Sequence, residues 1–193
     1  MSRPCCARCQ RPSAHCLCGL IPRLASRTRV LVLQHPSESG HALNTGRLAA
    51  LGLANAALEV GERFDPALWQ QAGYQPCVLF PGDGAEPLAA GGPARLLIVP
   101  DGTWRKARKL LYLNPALAAL PRVCLGNPGP SNYRVRKAQA AGALATIEAI
   151  AQALEALEAP ASFQPLLRPF EALIEGQIRA MGAATYARNH QRQ

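Results

Sequence analysis

The chain has 193 residues, 49% of them hydrophobic, and a formal net charge of +9, which excludes a disordered polymer and allows one folded domain with a small addition. Its longest alanine- and leucine-rich stretch, residues 48–58, is too short to span a bilayer, and no apolar secretion-signal segment follows the N-terminal arginines. We therefore expect a cytoplasmic protein without a membrane partner.

Five of the seven cysteines lie close together in residues 5–18. In a cytosolic chain such a cluster favours metal binding over disulfides. Cys6 and Cys9, followed by Cys16 and Cys18, form two close pairs whose thiolates can converge on one ion. We therefore predict a structural Zn²⁺ site, with a redox pair or unligated thiols as the alternative.

The cysteine-rich segment has no periodic pattern, so we predict a zinc-binding module at residues 1–25 and an α/β domain at residues 26–193. Metal binding supplies folding free energy to a segment that is too small for its own core. His15 is a further possible ligand in the module. Cys77 and Cys124 lie inside predicted strands, where we expect buried core positions.

Strand and helix patterns alternate after the module. Short apolar runs predict strands at residues 29–34, 76–80, 95–100 and 122–125. Longer segments predict helices at residues 46–58, 104–113, 143–157 and 170–186, the first of them capped by Asn44 or Thr45. This alternation favours an α/β fold with a mostly parallel sheet and helices on both faces.

The turn after the third predicted strand carries three functional side chains in four residues. A carboxylate (Asp101), a hydroxyl (Thr103) and an indole (Trp104) precede the basic segment 105–109. Ligands bind at the carboxyl ends of strands in open α/β sheets, so we expect chemistry at this turn. The alternative is a plain strand-to-helix turn in which Thr103 is the N-cap and Trp104 packs inward.

Positive charge is concentrated in two parts of the sequence. Residues 1–30 contain six arginines and no acidic residue, and residues 101–137 contain eight basic residues and one acid, Asp101. A concentrated basic surface indicates a polyanionic partner, and nucleic acid is the usual one. A basic surface that serves only solubility is the alternative.

Six short motifs occur in a fixed order, namely Gln34-His35-Pro36-x-Glu38, Asn44-Thr45-Gly46-Arg47, Leu79-Phe80-Pro81, Asp101-Gly102-Thr103-Trp104, Ser131-x-Tyr133-x3-Lys137 and Leu144-x-Thr146-x-Glu148-Ala149. In this order they resemble the DTW-domain proteins, the bacterial tRNA-uridine aminocarboxypropyltransferases named for an Asp-x-Thr-Trp signature. The resemblance covers nearly the whole chain, including the cysteine cluster. One departure is Ala145, where we expect a serine or cysteine, and it argues against a catalytic side chain at that position.

This resemblance implies a transferase that uses S-adenosylmethionine as its substrate. It would move the 3-amino-3-carboxypropyl group to the ring nitrogen N3 of a tRNA uridine and release methylthioadenosine. The resemblance also implies a SPOUT-like catalytic domain whose C-terminal part forms a knotted cofactor site. The partners would be tRNA and S-adenosylmethionine, and the oligomeric state stays open.

Site residues follow from the same motifs. The implied catalytic residues are Asp101, Thr103 and Trp104, with Asp101 either accepting the N3 proton or holding the amino group of the cofactor. Expected cofactor contacts are Phe80, Pro81, Gly82, Asp101, Trp104, Leu125, Gly126, Asn127, Tyr133, Leu144 and Thr146. Tyr133 is alternatively a stacking partner for the target base, and His35 either serves the site or caps the end of its strand. Candidate phosphate contacts are Arg47, Arg105, Lys106, Arg108, Arg134, Arg136 and Lys137.

Two other functions stay open at this point. One is an RNA methyltransferase of the same fold, and the other is a non-catalytic zinc-ribbon protein that binds RNA. A nucleotide-binding Rossmann enzyme is excluded, since neither a Gly-x-Gly-x-x-Gly motif nor a P-loop follows the first strand. The sequence also leaves open whether ribosomal RNA replaces tRNA as the substrate.

Overall fold

The predicted strands assemble into a parallel sheet in the computed structural model, which describes residues 4–135, 143–182, 185, 186 and 188. Within these residues the strands are β1 (Arg29–Gln34), β2 (Ala56–Val60), β3 (Gln75–Leu79), β4 (Glu86–Pro87), β5 (Arg95–Asp101) and β6 (Arg122–Cys124). Their order across the sheet is β2-β1-β5-β3-β6-β4, and each of these neighbouring pairs is parallel. The predicted α/β class with a mostly parallel sheet is confirmed.

Helices cover both faces of this sheet, as predicted. The helices are α1 (Gly46–Gly52), α2 (Trp104–Leu113), α3 (Pro115–Ala118), α4 (Thr146–Glu158) and α5 (Arg168–Met181). Helices α1, α4 and α5 pack on one face, and α2 and α3 pack on the other. No helix in the described part of the chain is long and apolar enough to cross a membrane.

The middle residues of the central strands β1 and β5 are continuously apolar because they bury side chains on both faces. Val30 and Val32 of β1 pack with α1, α4 and α5, whereas Leu31 and Leu33 pack with α2 and α3. Successive side chains of a strand point to opposite faces, so a strand with helices on both sides reads as a continuous apolar run. The interpretation of such runs as buried strands is therefore confirmed.

The predicted helix at residues 46–58 is wrong in its second half. Helix α1 ends at Gly52, and strand β2 follows at the edge of the sheet, paired in parallel with β1. Alanine and leucine favour a helix locally, but the backbone of this segment forms hydrogen bonds with neighbouring segments instead. The N–H of Ala54 donates to the Leu24 carbonyl at 2.8 Å, and β2 then satisfies the open edge of β1.

Smaller differences concern the ends of other elements. The two-residue strand β4 was not predicted, and α4 begins at Thr146 rather than at residue 143. The last helix covers Arg168–Met181 instead of residues 170–186. It ends at Gly182, which has φ 80°, a left-handed conformation that glycine adopts without a steric penalty.

Strands β1 and β5 form the switch point of the sheet. The chain leaves β1 through α1 toward β2 at one edge, and it leaves β5 through α2 and α3 toward β6 on the other side. The last residues of the two strands, Gln34 and Asp101, are partners in the parallel register. Ligands bind in open α/β sheets where adjacent connections diverge in this way.

The cysteine-rich segment packs against the α/β core. Cys9 is buried in the same apolar cluster as Leu48 of α1, and Leu24 forms a parallel bridge with Leu53. The domain boundary after residue 25 stays a prediction. So does the C-terminal knot, because residues 136–142 lie outside the described residues.

Candidate active site

A cleft of about 540 Å³ opens at the carboxyl ends of β3, β5 and β6. Its volume lies in the range of small-molecule sites, and its walls are mostly apolar, as such sites usually are. Helix α2 and the N-terminus of α4 complete the walls. Among the predicted site residues, the cleft brings together Phe80, Pro81, Thr103, Trp104, Leu125, Leu144 and Thr146.

The Asp101–Trp104 turn forms one side of this cleft. Thr103 accepts a hydrogen bond from the backbone N–H of Lys106 at 3.4 Å, so it is the N-cap of α2. Gly102 has φ 155°, and a Cβ there would lie 3.0 Å from that of Lys106, so the turn requires glycine. Trp104 is 45% exposed and meets Phe80 edge to face, with ring centroids 5.6 Å apart.

Asp101 is buried at the switch point, where its two carboxylate oxygens accept different hydrogen bonds. Thr146 donates its hydroxyl to Oδ1 at 2.5 Å, and Gln34 donates its amide to Oδ2 at 2.6 Å. The first residue of α1 also lies against the carboxylate, because a Cβ on Gly46 would come within 2.6 Å of Oδ2. Asp101 does not line the cleft itself, whereas its hydrogen-bond partner Thr146 does.

The environment of Asp101 disfavours its charged form. Burial raises the pKa of this carboxyl, and the charge of Glu38 raises it further. The hydrogen bonds from Thr146 and Gln34 act in the opposite direction, but burial is the largest cause. The site thus contains a carboxyl that holds its proton more tightly than an exposed aspartate does.

Residues from the loop after β1 extend the polar network around Asp101. Gln34 and Asn44 exchange two side-chain hydrogen bonds, of 3.0 and 3.2 Å, so the amide of Gln34 is fixed in the orientation that donates to Asp101. Glu38 pairs with Lys106 at 2.6 Å, which ties this loop to the first turn of α2. Sequence reasoning had placed Gln34 and Glu38 in family motifs without a role and had given Asn44 only the role of a helix cap, which its Oδ1 also fulfils by accepting from the N–H of Arg47 at 3.1 Å.

A second carboxylate, Glu148, organises the other wall. It is buried near the start of α4 and accepts hydrogen bonds from the Ser131 hydroxyl and the backbone N–H groups of Asn132 and Ala145, at 2.6–2.7 Å. Ala145 therefore serves through its backbone, which agrees with the expectation that its side chain is not catalytic. The motif spacing was the available signal for Glu148, since it brings a glutamate close to the start of a predicted helix.

Some predicted cofactor contacts lie outside the cleft. Gly82 lines a neighbouring groove, and Gly126 and Asn127 are exposed residues that do not line the cleft. Tyr133 packs edge to face on Phe170 of α5 at 5.7 Å. The imidazole of His35 accepts a hydrogen bond from the backbone N–H of Ser37 at 3.3 Å and lies 2.8 Å from Glu62, so it caps the short 3-10 helix Pro36–Glu38 that follows β1.

The neighbouring groove has a volume of about 560 Å³ and shares Phe80, Pro81 and Trp104 with the cleft. Its other walls include Arg108 and Tyr112 of α2 and Arg122 at the start of β6. Sequence reasoning missed Tyr112 and Arg122 as site residues. The available signal was the spacing of Trp104, Arg108 and Tyr112, which repeats every four residues and places them on one helix face.

The predicted phosphate contacts separate into distinct groups. Lys106 and Arg134 form ion pairs, with Glu38 and Glu175, while Arg105 and Arg108 are exposed on α2. Arg47 is half-buried, and its Nε has no hydrogen-bond partner within the described part of the chain. The remaining two candidates, Arg136 and Lys137, lie outside the described residues.

The four predicted metal ligands come together as expected. The sulfur atoms of Cys6, Cys9, Cys16 and Cys18 all lie within 4.8 Å of one another, and the closest pairs are 3.6 and 3.8 Å apart. A tetrahedral ion with Zn–S bonds of about 2.3 Å requires sulfur separations of about 3.8 Å. Backbone hydrogen bonds from Cys9 and Arg8 lower the pKa of Cys6 to about 6, whereas burial raises the pKa of Cys18 to about 12.

The chain is an α/β protein with a cleft of small-molecule size beside a groove that carries Arg108 and Arg122. The chain belongs to the DTW domain family, whose profile matches residues 3–178. It is 33% identical over 189 residues to a Drosophila melanogaster protein named tRNA-uridine aminocarboxypropyltransferase 2, and the match covers 90% of this chain and 74% of that protein. The family predicted from the motifs is confirmed.

Two further relatives carry related names. A Macaca fascicularis protein, also named tRNA-uridine aminocarboxypropyltransferase 2, is 32% identical over 97% of this chain and 68% of its own length. An Arabidopsis thaliana protein named tRNA-uridine aminocarboxypropyltransferase A is 29% identical over 81% of this chain and 73% of its own. No solved structure gives a significant match.

Proposed function

We propose that this protein transfers the 3-amino-3-carboxypropyl group of S-adenosylmethionine to N3 of a tRNA uridine. One observation carries the proposal: Gly102, Thr103 and Trp104 of the family signature line a cleft of small-molecule size, and Asp101 lies directly behind its wall through Thr146. The relatives named for this activity support the choice of reaction. The basic groove beside the cleft supports an RNA acceptor.

S-Adenosylmethionine would occupy the cleft, whose volume of about 540 Å³ suits a molecule of its size. Leu125 and Leu144 give the cleft apolar surfaces suited to the adenine ring. Phe80 and Trp104 are the aromatic residues of the lining, and an aromatic face attracts a cation such as the sulfonium. These residues would therefore orient the donor rather than react with it.

The reaction depends on which carbon of the sulfonium faces the acceptor. The lone pair of uridine N3 attacks the terminal methylene of the aminocarboxypropyl chain and forms the new N–C bond. The bond between that carbon and sulfur breaks, and its electron pair stays on sulfur, which leaves neutral methylthioadenosine. Holding donor and acceptor in this geometry is the main contribution that the cleft can make.

The proton of uridine N3 must leave during this attack, and we assign it to Asp101 acting through Thr146. The Thr146 hydroxyl lies on the cleft wall and donates to Asp101, so it can pass a proton inward while it accepts another from the acceptor side. A raised pKa makes Asp101 a stronger base than an ordinary aspartate. In this arrangement Thr146 touches the substrate, and Asp101 acts behind it.

The alternative role for Asp101, holding the amino group of the donor, requires direct contact with the donor. Two variants of Thr146 separate the roles. Thr146→Val removes the hydroxyl with little change in shape and should lower kcat at least tenfold, whereas Thr146→Ser should keep most of it. If Thr146→Val retains kcat and raises KM for S-adenosylmethionine, the relay is wrong and the anchor is favoured.

Labelled donors test the proposed reaction itself. tRNA that lacks the modification is incubated with the protein and with S-adenosylmethionine that carries a label in either its carboxyl or its methyl carbon. We expect the carboxyl label in tRNA and the methyl label in free methylthioadenosine. A methyl label in tRNA would instead favour an RNA methyltransferase, and no label in tRNA would favour a non-catalytic RNA-binding protein.

We also propose that the metal bound by the four cysteines is Zn²⁺ and that its role is structural. Four thiolates at tetrahedral spacing are the donor set of structural zinc sites, and Arg11 joins this module to the α/β domain by donating to the Ala42 carbonyl at 2.6 Å. Metal analysis should find one zinc per chain. Cys16→Ser should lose it, whereas Cys5→Ser, which changes a thiol outside the quartet, should retain it.

A further inference from the structure

The groove beside the cleft contains aromatic rings and cations that are not required to bind S-adenosylmethionine in the cleft. It begins at the Phe80–Trp104 pair, which separates it from the cleft, and it runs along α2 past Arg108 to Tyr112. Arg122 lies on the opposite side. Leu111 and Ala118 supply apolar surface between these residues.

Arg108 of α2 faces this groove, whereas Arg105, which also forms no ion pair among the described residues, does not line it. Lys106 is paired with Glu38 at 2.6 Å and Lys109 with Glu62 at 2.8 Å, so the lysines of this helix are neutralised. Within the described residues, Arg108 and Arg122 form no ion pair, and no residue that lines the groove is acidic. The groove is therefore complementary to an anion.

Exposed aromatic rings mark the same surface. Tyr112 is 83% exposed and Trp104 is 45% exposed, and both are among the most exposed large hydrophobic side chains of the described chain. Both lie on the face of α2 that carries Arg108, about 12 Å apart along the helix axis. Nucleotides rise about 3.4 Å each in a stacked strand, so this distance covers about three of them.

The chemistry of the acceptor requires an unpaired base. Uridine N3 carries the proton of the Watson–Crick edge, so a base pair would block the atom that must attack. Proteins bind unpaired bases by stacking them on aromatic rings and by placing cations along the phosphates. The groove offers both kinds of contact next to the wall of the donor site.

We propose that this groove binds the single-stranded RNA segment that contains the target uridine. Tyr112 stacks on a base that neighbours the target, and Arg108 and Arg122 contact phosphates. The target base reaches the edge of the cleft beside the Phe80–Trp104 pair. This assignment rests on the proposed function for its reaction, but the binding of RNA to the groove is measurable without any transfer.

Binding of a short oligouridine by fluorescence anisotropy tests the contribution of each side chain. Tyr112→Ala should weaken binding at least fivefold, while Tyr112→Phe, which keeps the ring, should stay within twofold of the wild type. Arg108→Gln should weaken binding and reduce the slope of affinity against salt by about one unit. Lys109→Gln is the matched control, since it removes the same charge from a paired side chain of the same helix, and it should stay within twofold.

Photo-crosslinking locates the RNA directly. The oligouridine carries one 4-thiouridine, and the crosslinked peptides are mapped by mass spectrometry. We expect crosslinks to α2 and to the peptide that contains Arg122. Crosslinks confined to other surfaces, or unchanged affinity in both Tyr112→Ala and Arg108→Gln, would overturn the proposal and leave the groove to a protein partner.

The outcomes also separate this proposal from the proposed function. If RNA crosslinks to the groove but no label from S-adenosylmethionine enters tRNA, the groove assignment stands and the reaction is wrong. If the label enters tRNA while Tyr112→Ala keeps the wild-type KM for tRNA, the reaction stands and the groove assignment is wrong.

Discussion

The two faces of the sheet are covered to different depths. Helices α1, α4 and α5 and the cysteine-rich segment cover one face, which we call the thick side. Helix α2, the short α3 and the loop segment that carries Trp69 cover the other face, which we call the thin side. The buried carboxylate of Asp101 bonds with Thr146 at the start of α4, on the thick side. The exposed rings of Trp104 and Tyr112 lie on α2, on the thin side. The thick side therefore holds most of the helical core and the buried acid, and the proposed RNA surface lies on the thin side.

The largest expected loss of stability comes from the centre of the thick side. Phe170 of α5 is fully buried and packs edge to face on Tyr133. Phe170→Ala should lower the free energy of unfolding by about 3–5 kcal/mol, because it leaves a cavity that the core cannot refill. Denaturant unfolding measures the change. Phe170→Leu should cost less, and equal losses in the two variants would argue against a packed core at this position.

A smaller loss is expected where α1 meets Asp101. Gly46→Ala would place a Cβ 2.6 Å from Oδ2, and the hydrogen bonds from Gln34 and Thr146 restrain the carboxylate. We expect the free energy of unfolding to fall by about 1–3 kcal/mol, together with a loss of transfer activity.

Gly176→Ala is the matched control for Gly46→Ala. This residue also lies in a helix, α5, but a Cβ there meets nothing within 4 Å. The substitution should leave stability unchanged or raise it by about 0.5–1 kcal/mol. If Gly46→Ala behaves like Gly176→Ala, the close approach of α1 to Asp101 is wrong.

The charge of Asp101 should affect stability in a pH-dependent way. Burial raises the pKa of this carboxyl in the folded protein above its pKa in the unfolded chain. Its contribution to the free energy of unfolding is therefore complete at a pH below the unfolded-state pKa. The contribution is lost as the pH rises through the folded-state pKa. Asp101→Asn has no proton to lose, and its amide can accept from Gln34 and donate to Thr146. The Tm of this variant relative to wild type should therefore rise as pH increases above about 4, the usual pKa of an aspartate in an unfolded chain.

The same variant tests the assigned role in transfer. Asp101→Asn should lower kcat by about 100-fold or more if the carboxylate accepts the proton. Its affinity for oligouridine should not change, because Asp101 does not line the groove. A variant that folds, binds both substrates and turns over normally would contradict the assignment.

The smallest effect on stability is expected on the thin side. Tyr112 is 83% exposed, so Tyr112→Ala should change the free energy of unfolding by no more than about 0.5 kcal/mol. Its effect on RNA affinity should nevertheless exceed that of Phe170→Leu, provided that both are measured on folded protein. A large loss of stability in Tyr112→Ala would place this ring in the core and remove the contrast between the two faces.

Sequence reasoning predicted the features that are determined by residues close together in the sequence. Strand β1 and helix α2 occur at the predicted positions, and the four cysteines lie together. Thr103 caps α2 as in the alternative interpretation of its turn, but Trp104 is exposed instead of packing inward. Apolar runs, capping residues and thiol spacing act within about a dozen residues. The predicted helix at residues 46–58 was wrong because its second half pairs with β1, and local propensity contains no information about that pairing.

The candidate site depends on contacts that are distant in sequence. Gln34 lies 67 residues from Asp101, and Thr146 lies 45 residues from it, so only the register of the sheet and the position of α4 bring the three together. The same holds for Tyr112 and Arg122, which face one groove from a helix and a strand. The identities of these residues were available in the sequence, but their convergence was not.

Mass spectrometry of both products in one reaction tests the central claim most directly. Wild-type protein and Asp101→Asn are each incubated with unmodified tRNA and S-adenosylmethionine, and the nucleosides and free adenosine derivatives are then quantified together. We predict that wild type forms aminocarboxypropyl-uridine and methylthioadenosine in equal amounts and that Asp101→Asn forms little of either. A methylated nucleoside with S-adenosylhomocysteine, or no modified nucleoside from wild type, would contradict the account.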